Sequence, residues 1–138
     1  MSLSIVLVAL VAAMAPAPAS GFGEPVIAVT WERNWGSYGA LDGQFSGPLE
    51  VEVDKWGRVY VTGVTDSADR RVQVFDSDGG FLGKTSVGWD GQPLSLPRSL
   101  ACNRWGSVFV GQMGNGGLVN RYNALLTLPS PFFDEATG

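Results

Sequence analysis

Few side chains of this 138-residue chain can act as a nucleophile or a general base, which limits its chemistry. The sequence contains one cysteine, Cys102, and no histidine. Histidine is the commonest general base and metal ligand, so a thiolate at Cys102 has no imidazole to activate it. A single cysteine also forms no intramolecular disulfide. We therefore predict that Cys102 is a small buried strand residue without a catalytic role.

Two groups of carboxylates come closest to a catalytic or metal-binding pattern. Glu50, Glu52 and Asp54 stand at every second position and would form a paired-carboxylate site if they shared a cleft. Because apolar residues alternate with them, a solvated strand face is the favoured interpretation. Asp76-Ser77-Asp78-Gly79 is similar to the start of an EF-hand calcium loop but lacks the terminal glutamate of that loop. We interpret it as a turn and predict no metal and no cofactor.

Aromatic and glycine-rich segments are further candidates for ligand sites. Five tryptophans could form a platform for sugars, but their repeated spacing favours packing between structural units. They are Trp31, Trp35, Trp56, Trp89 and Trp105. Gly114-Asn115-Gly116-Gly117 lacks the lysine of a phosphate-binding loop and is interpreted as a connection between strands.

Composition and charge exclude several classes of protein. With 45% hydrophobic residues, 16% charged residues and 19 glycines, the chain is not disordered, collagen-like or coiled-coil. The glycines and aromatic residues together favour short strands joined by tight turns. Nine basic against thirteen acidic residues give a net charge of −4, which argues against a nucleic-acid partner.

The amino terminus predicts export. Residues 1–23 carry no charged side chain, and the apolar run at residues 3–14 is too short to span a membrane stably. Ala17-Pro18-Ala19 offers small residues for cleavage before Ser20, so residues 1–19 are predicted to be a signal peptide. No lysine or arginine precedes the apolar run, and the alternative is a buried strand or short helix. Export would place the protein in the periplasm or outside the cell.

The remaining chain contains an internal repeat. Trp56-Gly57-Arg58-Val59-Tyr60-Val61 recurs 49 residues later as Trp105-Gly106-Ser107-Val108-Phe109-Val110. Asp42-Gly43-Gln44 recurs as Asp90-Gly91-Gln92, and Val72 to Phe75 match Val119 to Tyr122 at an offset of 47. Several matched segments in one order indicate two copies of one structural unit.

Each copy is predicted to be a four-stranded antiparallel meander. In the first copy the predicted strands are residues 49–53, 59–61, 71–75 and 81–87, separated by turn signals. The period-2 pattern predicts that Val51, Val59, Leu100 and Val108 are buried against neighbouring units. Glu50 and Glu52 are predicted to be exposed.

These residues resemble the NHL repeat. The resemblance is carried by Asp42-Gly43-Gln44-Phe45 with Pro48, by Val51 and Val53-Asp54, by Gly57 to Val61, by Arg71 to Asp76, and by Gly79 with Phe81-Leu82. It is close over residues 35–85 and looser over residues 89–122. It implies an all-β fold, a partial β-propeller of about two four-stranded antiparallel blades.

The sequence departs from the family pattern at three places. The loop at residues 62–71 is longer than in the family and has Arg70 where a histidine is usual. In the second copy, Asn103 replaces an acidic residue and Arg121 occupies an otherwise apolar position. The second blade is therefore a degenerate copy or one at an edge.

The resemblance gives the following domain organisation. Residues 1–19 form the signal peptide, 20–34 an outer strand of a preceding blade centred on Pro25 to Trp31, 35–87 the first blade, and 88–138 the second blade with a tail. Because NHL propellers are rings of about six blades, three interpretations stay open. The chain is a piece of a longer protein, it assembles with copies of itself to complete a ring, or it is an open arc capped by its termini.

The function predicted from the resemblance is binding, not catalysis. Some proteins with the fold that this resemblance implies are enzymes, such as lactonase-like hydrolases and an amidating lyase. Their metal sites lie on the propeller axis and contain histidine, which this sequence lacks. The favoured reading is a non-catalytic scaffold for an unidentified protein or glycan, and the alternative is a fragment of a propeller hydrolase or lyase. The candidate binding loops are residues 64–70 and 112–117, with Asp66, Asp69, Arg70, Gln112 and Asn115 as candidate contact residues.

Overall fold

The computed structural model describes residues 30–63, 70–114, 117–127 and 129–131, and its regular elements there are all β-strands. Within this part of the chain, no helix is long and apolar enough to cross a membrane. In chain order the strands are β1 Ser37–Tyr38, β2 Gln44–Phe45, β3 Pro48–Val53, β4 Val59–Gly63, β5 Arg71–Phe75, β6 Phe81–Thr85, β7 Pro97–Cys102, β8 Val108–Gln112, β9 Val119–Tyr122 and β10 Ser130–Pro131.

The strands form two antiparallel meanders of four strands each. The first sheet pairs β3, β4, β5 and β6 in chain order, and the second sheet pairs β7, β8, β9 and β10 in the same order. The all-β class and the predicted meander are therefore confirmed, although β6 ends at Thr85 and not at Val87. A short parallel pair, β1 with β2, precedes the first sheet and was not predicted.

One type of turn recurs four times at the same end of the two sheets, which we call the turn edge. A side-chain oxygen, Oδ1, accepts hydrogen bonds from the backbone N–H groups two and four residues further on, at 2.7–3.2 Å. The residue three positions on has a positive φ, as a type I turn followed by a bulge requires. The accepting residues are Asp54, Asp76, Asn103 and Asn123, and the positive-φ residues are Gly57, Gly79, Gly106 and Leu126.

The main core lies between the two sheets. The first sheet contributes aromatic and β-branched side chains from β4 and β5, and the second sheet contributes those of β7, β8 and β9. Each large apolar side chain that is fully buried here stabilises the fold by about 1.5–3 kcal/mol. Prediction and structure agree that Leu100 and Val108 are buried. The core residues are Tyr60, Val72, Val74, Leu94, Leu100, Val108, Val110, Tyr122 and Leu126.

A smaller core covers part of the opposite face of the first sheet. Val59 and Val61 of β4 pack there beside Phe75 of β5. The Trp35 ring lies 4.6 Å from the Phe75 ring, and the Phe45 ring lies 5.6 Å from it. The segment before β3 therefore folds back over β4 and β5, and the prediction that Val59 is buried is confirmed.

The same face stays open over β3, where the sequence prediction was wrong. Val51 is predicted to be buried, but it is 40% exposed, and Leu49 and Val53 beside it are 52% and 53% exposed. The alternation is correct, because these three side chains share a face. However, β3 is the edge strand and no described residue covers it. Glu50 is exposed as predicted, whereas Glu52 is half-buried on the face towards the second sheet.

Two predictions about the amino terminus fall mainly outside the described residues. The signal peptide at residues 1–19 lies entirely outside them. Of the predicted outer strand Pro25 to Trp31, only residues 30 and 31 are described, and neither belongs to a strand.

Candidate functional site

We call the end of the sheets opposite the four turns the loop edge. In a meander every second connection returns to the same end, so the described residues 39–47, 70, 86–96, 113, 114, 117 and 118 lie there. Of the predicted contact residues, the structure describes Arg70 and Gln112. Asp66, Asp69 and Asn115 lie outside the described residues.

Gln112 has a structural role that the sequence did not reveal. Its side chain is buried, and Oε1 accepts a hydrogen bond of 2.5 Å from the backbone N–H of Ser95. The backbone N–H of Met113 donates to the Leu96 carbonyl at 3.1 Å. Together these bonds fix the connection between β6 and β7 against β8, while the role of Gln112 as a ligand contact stays a prediction.

Two adjacent arginines at the start of β5 differ in their roles. Arg70 is half-buried, and its Nε makes no hydrogen bond to another described residue. Arg71 is buried, with Nη1 donating to the Ala40 carbonyl at 2.5 Å and Nη2 donating to the Leu41 and Gln44 carbonyls at 3.0 Å. Arg71 thus holds the loop before β3. The strand pattern placed Arg71 on one face but gave no sign of these carbonyl partners, which are about thirty residues away in sequence.

Large apolar side chains at the loop edge are open to solvent, and among them are Trp89, Met113 and Leu118, which are not among the predicted contact residues. Trp89 is 48% exposed, Met113 is 63% exposed and Leu118 is 37% exposed. Their backbone is held in place, because the N–H of Trp89 donates to Oδ1 of Asn120 at 3.1 Å and the Leu118 carbonyl accepts from the N–H of Gln112 at 2.9 Å. Apolar side chains on a fixed backbone in water form a preorganised contact surface.

At the turn edge, each sheet presents a tryptophan covered by cations. Lys55 Nζ lies 4.3 Å from the Trp56 ring centre, and the Arg58 guanidinium lies 4.8 Å from it. In the second sheet, the Arg104 guanidinium lies 4.4 Å from the Trp105 ring centre. Such contacts contribute about 0.5–1 kcal/mol at exposed sites. The packing predicted for the tryptophans is observed at Trp56, which touches the second sheet, but Trp105 is 73% exposed.

Asp54 is the centre of the densest polar network in the described part of the chain. Its Oδ2 accepts from Nε of Arg58 at 2.6 Å and lies 3.1 Å from the Tyr60 hydroxyl, which is also 2.9 Å from the Ala124 carbonyl of the second sheet. Burial alone would raise the pKa of Asp54, but hydrogen bonds from Arg58, Trp56 and Tyr60 outweigh it and lower that pKa. Both oxygens of the Asp54 carboxylate therefore already accept hydrogen bonds within the structure.

Cys102 and the carboxylates of the second turn are also engaged in the structure. Burial, with Glu52 and Asp54 nearby, raises the pKa of the Cys102 thiol to about 12, which disfavours a thiolate. Cys102 ends β7 and packs against the main core, so it is a strand residue as predicted, but it is half-buried and not fully buried. Asp76 accepts the backbone bonds of its turn, and Asp78 pairs with Arg33 at 2.7 Å. Both are consistent with the predicted turn.

The fold and these sites define an all-β protein of two equivalent, packed meanders with a preorganised apolar surface at one end. No family model matches the chain, and no curated protein matches it. Its function is therefore inferred from the geometry of the two sheets.

Proposed function

We propose that the chain is an exported segment of an NHL-type β-propeller that binds a protein partner and has no catalytic activity of its own. In support, two consecutive meanders share the same turns and pack face to face, as blades of a propeller do. The NHL resemblance of the sequence adds to this support.

The observation that carries the binding role is the exposed apolar surface at the loop edge. Trp89, Met113 and Leu118 lie there on backbone segments that are hydrogen-bonded to the second sheet. Aromatic residues and methionine are enriched at protein interfaces, and a fixed backbone reduces the entropy that is lost on binding. The favoured ligand is a protein segment with apolar side chains.

The state of the titratable groups supports a role other than catalysis. A nucleophile at Cys102 would need a thiolate, yet the pKa of its thiol is raised to about 12. The carboxylate of Asp54 is already bound by Arg58 and by backbone N–H groups. Neither group is poised to react near neutral pH.

The binding role is tested by placing a photo-crosslinking amino acid at Met113 in the full chain. Incubation with the proteins of the export compartment should give a specific crosslinked partner, and unlabelled chain should compete for it. The matched control carries the same amino acid at Lys55 on the turn edge and should not give that product. With the purified partner, Met113→Asp should weaken binding by about tenfold or more.

Two results would overturn the proposal. One is a crosslinked product that is the same from both positions, because it would show no loop-edge surface. The other is turnover of a lactone or ester by the purified chain, because it would favour the hydrolase or lyase alternative.

A further inference from the structure

The contact that joins the two sheets within the chain has two sides, a tryptophan on the first sheet and a glycine on the second, which we call the donor and the acceptor. The repeat supplies a second donor and a second acceptor. At the turn edge, the Trp56 indole of the first sheet lies over Gly106 of the second sheet. A Cβ placed at Gly106 would be 3.2 Å from Cζ3 of Trp56 and 3.9 Å from Cβ of Ala124. The glycine therefore provides the room that the indole occupies.

The repeat places a second tryptophan and a second glycine at equivalent positions. Trp105 follows Trp56 by 49 residues and is 73% exposed. Gly57 precedes Gly106 by the same offset, and a Cβ there would meet only Ser77 Cβ, at 3.7 Å, among described atoms. Ser77 is the counterpart of Ala124. Gly57 thus has the surroundings of Gly106 without an indole above it.

The open face of β3 matches this arrangement. Val51 is the counterpart of Leu100, which is buried against the first sheet, yet Val51 is 40% exposed. Leu49 and Val53 flank it on the same face. The exposed face of β3 is therefore the counterpart of the face with which the second sheet packs on the first sheet within the chain.

We propose that a second copy of this chain docks head to tail, with its first sheet on the outer face of the second sheet. Trp105 of one copy then covers Gly57 of the next. The contact is heterologous, so repeated docking closes a ring or extends a filament. This inference rests on the blade architecture of the proposed function but not on its ligand at the loop edge.

Two single variants remove the two sides of the contact one at a time: Trp105→Ala removes the donor and Val51→Glu disrupts the acceptor. Sedimentation and light scattering measure the association of each variant. Wild-type chain should associate as its concentration rises, and Trp105→Ala and Val51→Glu should each weaken association by about tenfold or more. Trp89→Ala is the matched control, because it removes an exposed tryptophan at the loop edge. It should associate like the wild type. Circular dichroism checks that all variants keep their strands.

Mixing the two variants tests the head-to-tail geometry directly. Trp105→Ala keeps its acceptor face and Val51→Glu keeps its donor tryptophan, so the mixture should form one-to-one dimers that do not grow further.

Three outcomes would overturn the proposal. A wild-type chain that stays monomeric at all concentrations would exclude docking between copies. Equal loss in Trp89→Ala, or a mixture without dimers, would exclude this contact. Crosslinking at Met113 is independent of Trp105, so failure here and failure of the loop-edge proposal can be told apart.

Discussion

The two sheets use the same turn between their first and second strands, but only the first builds an ion pair on it. In both turns one Oδ1 atom accepts two backbone hydrogen bonds, from Asp54 in the first sheet and from Asn103 in the second. Asp54 also binds Arg58 and Tyr60, whereas Ser107 and Phe109 replace these partners in the second sheet. An amide oxygen thus suffices for the turn, and the carboxylate adds a link between strands and sheets.

The turns between the third and fourth strands differ in a second way. Gly79 of the first sheet and Leu126 of the second occupy the same left-handed position, with φ of +87° and +61°. A leucine there costs about 1–2 kcal/mol more than glycine. Leu126 offsets this cost because its side chain is buried in the main core, at 2% exposure.

The largest difference between the two sheets should come from removing the turn acceptors. Asp54→Ala should lower the free energy of unfolding by about 3 kcal/mol, because it leaves Arg58 and buried backbone donors without a partner. Asn103→Ala, the matched variant, should cost about 1 kcal/mol, since it removes only turn hydrogen bonds. Urea denaturation measures both. Equal losses would show that the carboxylate contributes nothing beyond the turn.

The next largest effect should be at Leu126. Leu126→Ala should cost about 2–3 kcal/mol through lost core burial, while the strained φ is retained. Leu126→Gly removes one more carbon but relieves the strain, so it should be at least as stable as Leu126→Ala. Thermal unfolding of the two variants compares them. A clearly less stable glycine variant would show that the backbone at Leu126 carries no strain.

A smaller difference is expected between the two exposed tryptophans. Trp56→Ala should lower the free energy of unfolding by about 1 kcal/mol, because Trp56 packs on the second sheet at Gly106. At concentrations where the chain is monomeric, Trp105→Ala should change it by less than about 0.5 kcal/mol. Chemical denaturation of both dilute variants makes the comparison. Similar losses would place Trp105 in an intrachain contact.

The smallest effect should be the pH dependence of the ion pair. Because the folded-state pKa of Asp54 is below the ordinary 3.8, its stabilisation is present above that value and is lost as the pH falls through the folded pKa. Asp54→Asn keeps the turn acceptor but does not titrate. The difference in melting temperature between wild type and Asp54→Asn should therefore shrink from pH 5 to pH 3. The same series on Asn103→Ala should show no such change.

Much of the local structure could be predicted from the sequence. Asp54 and Gly57 mark a turn because an Oδ1 acceptor and a positive φ are local requirements. The recurrence of Trp56 to Val61 as Trp105 to Val110 predicts a second meander, which the structure confirms. The site was less predictable, because Gln112 and Arg71 bond to backbone groups that are distant in sequence.

The strands of the two meanders, their alternation and the repeat follow from the sequence alone, because they depend on residues two to five positions apart and on offsets of 47 to 49 residues. Which of the alternating faces is covered depends on the tertiary structure. Leu100 and Val51 hold the same place in the repeat, but Leu100 meets the first sheet while Val51 faces outward from an edge strand. Burial depends on the neighbouring sheet, and the local pattern of apolar and polar residues does not indicate which neighbour is present.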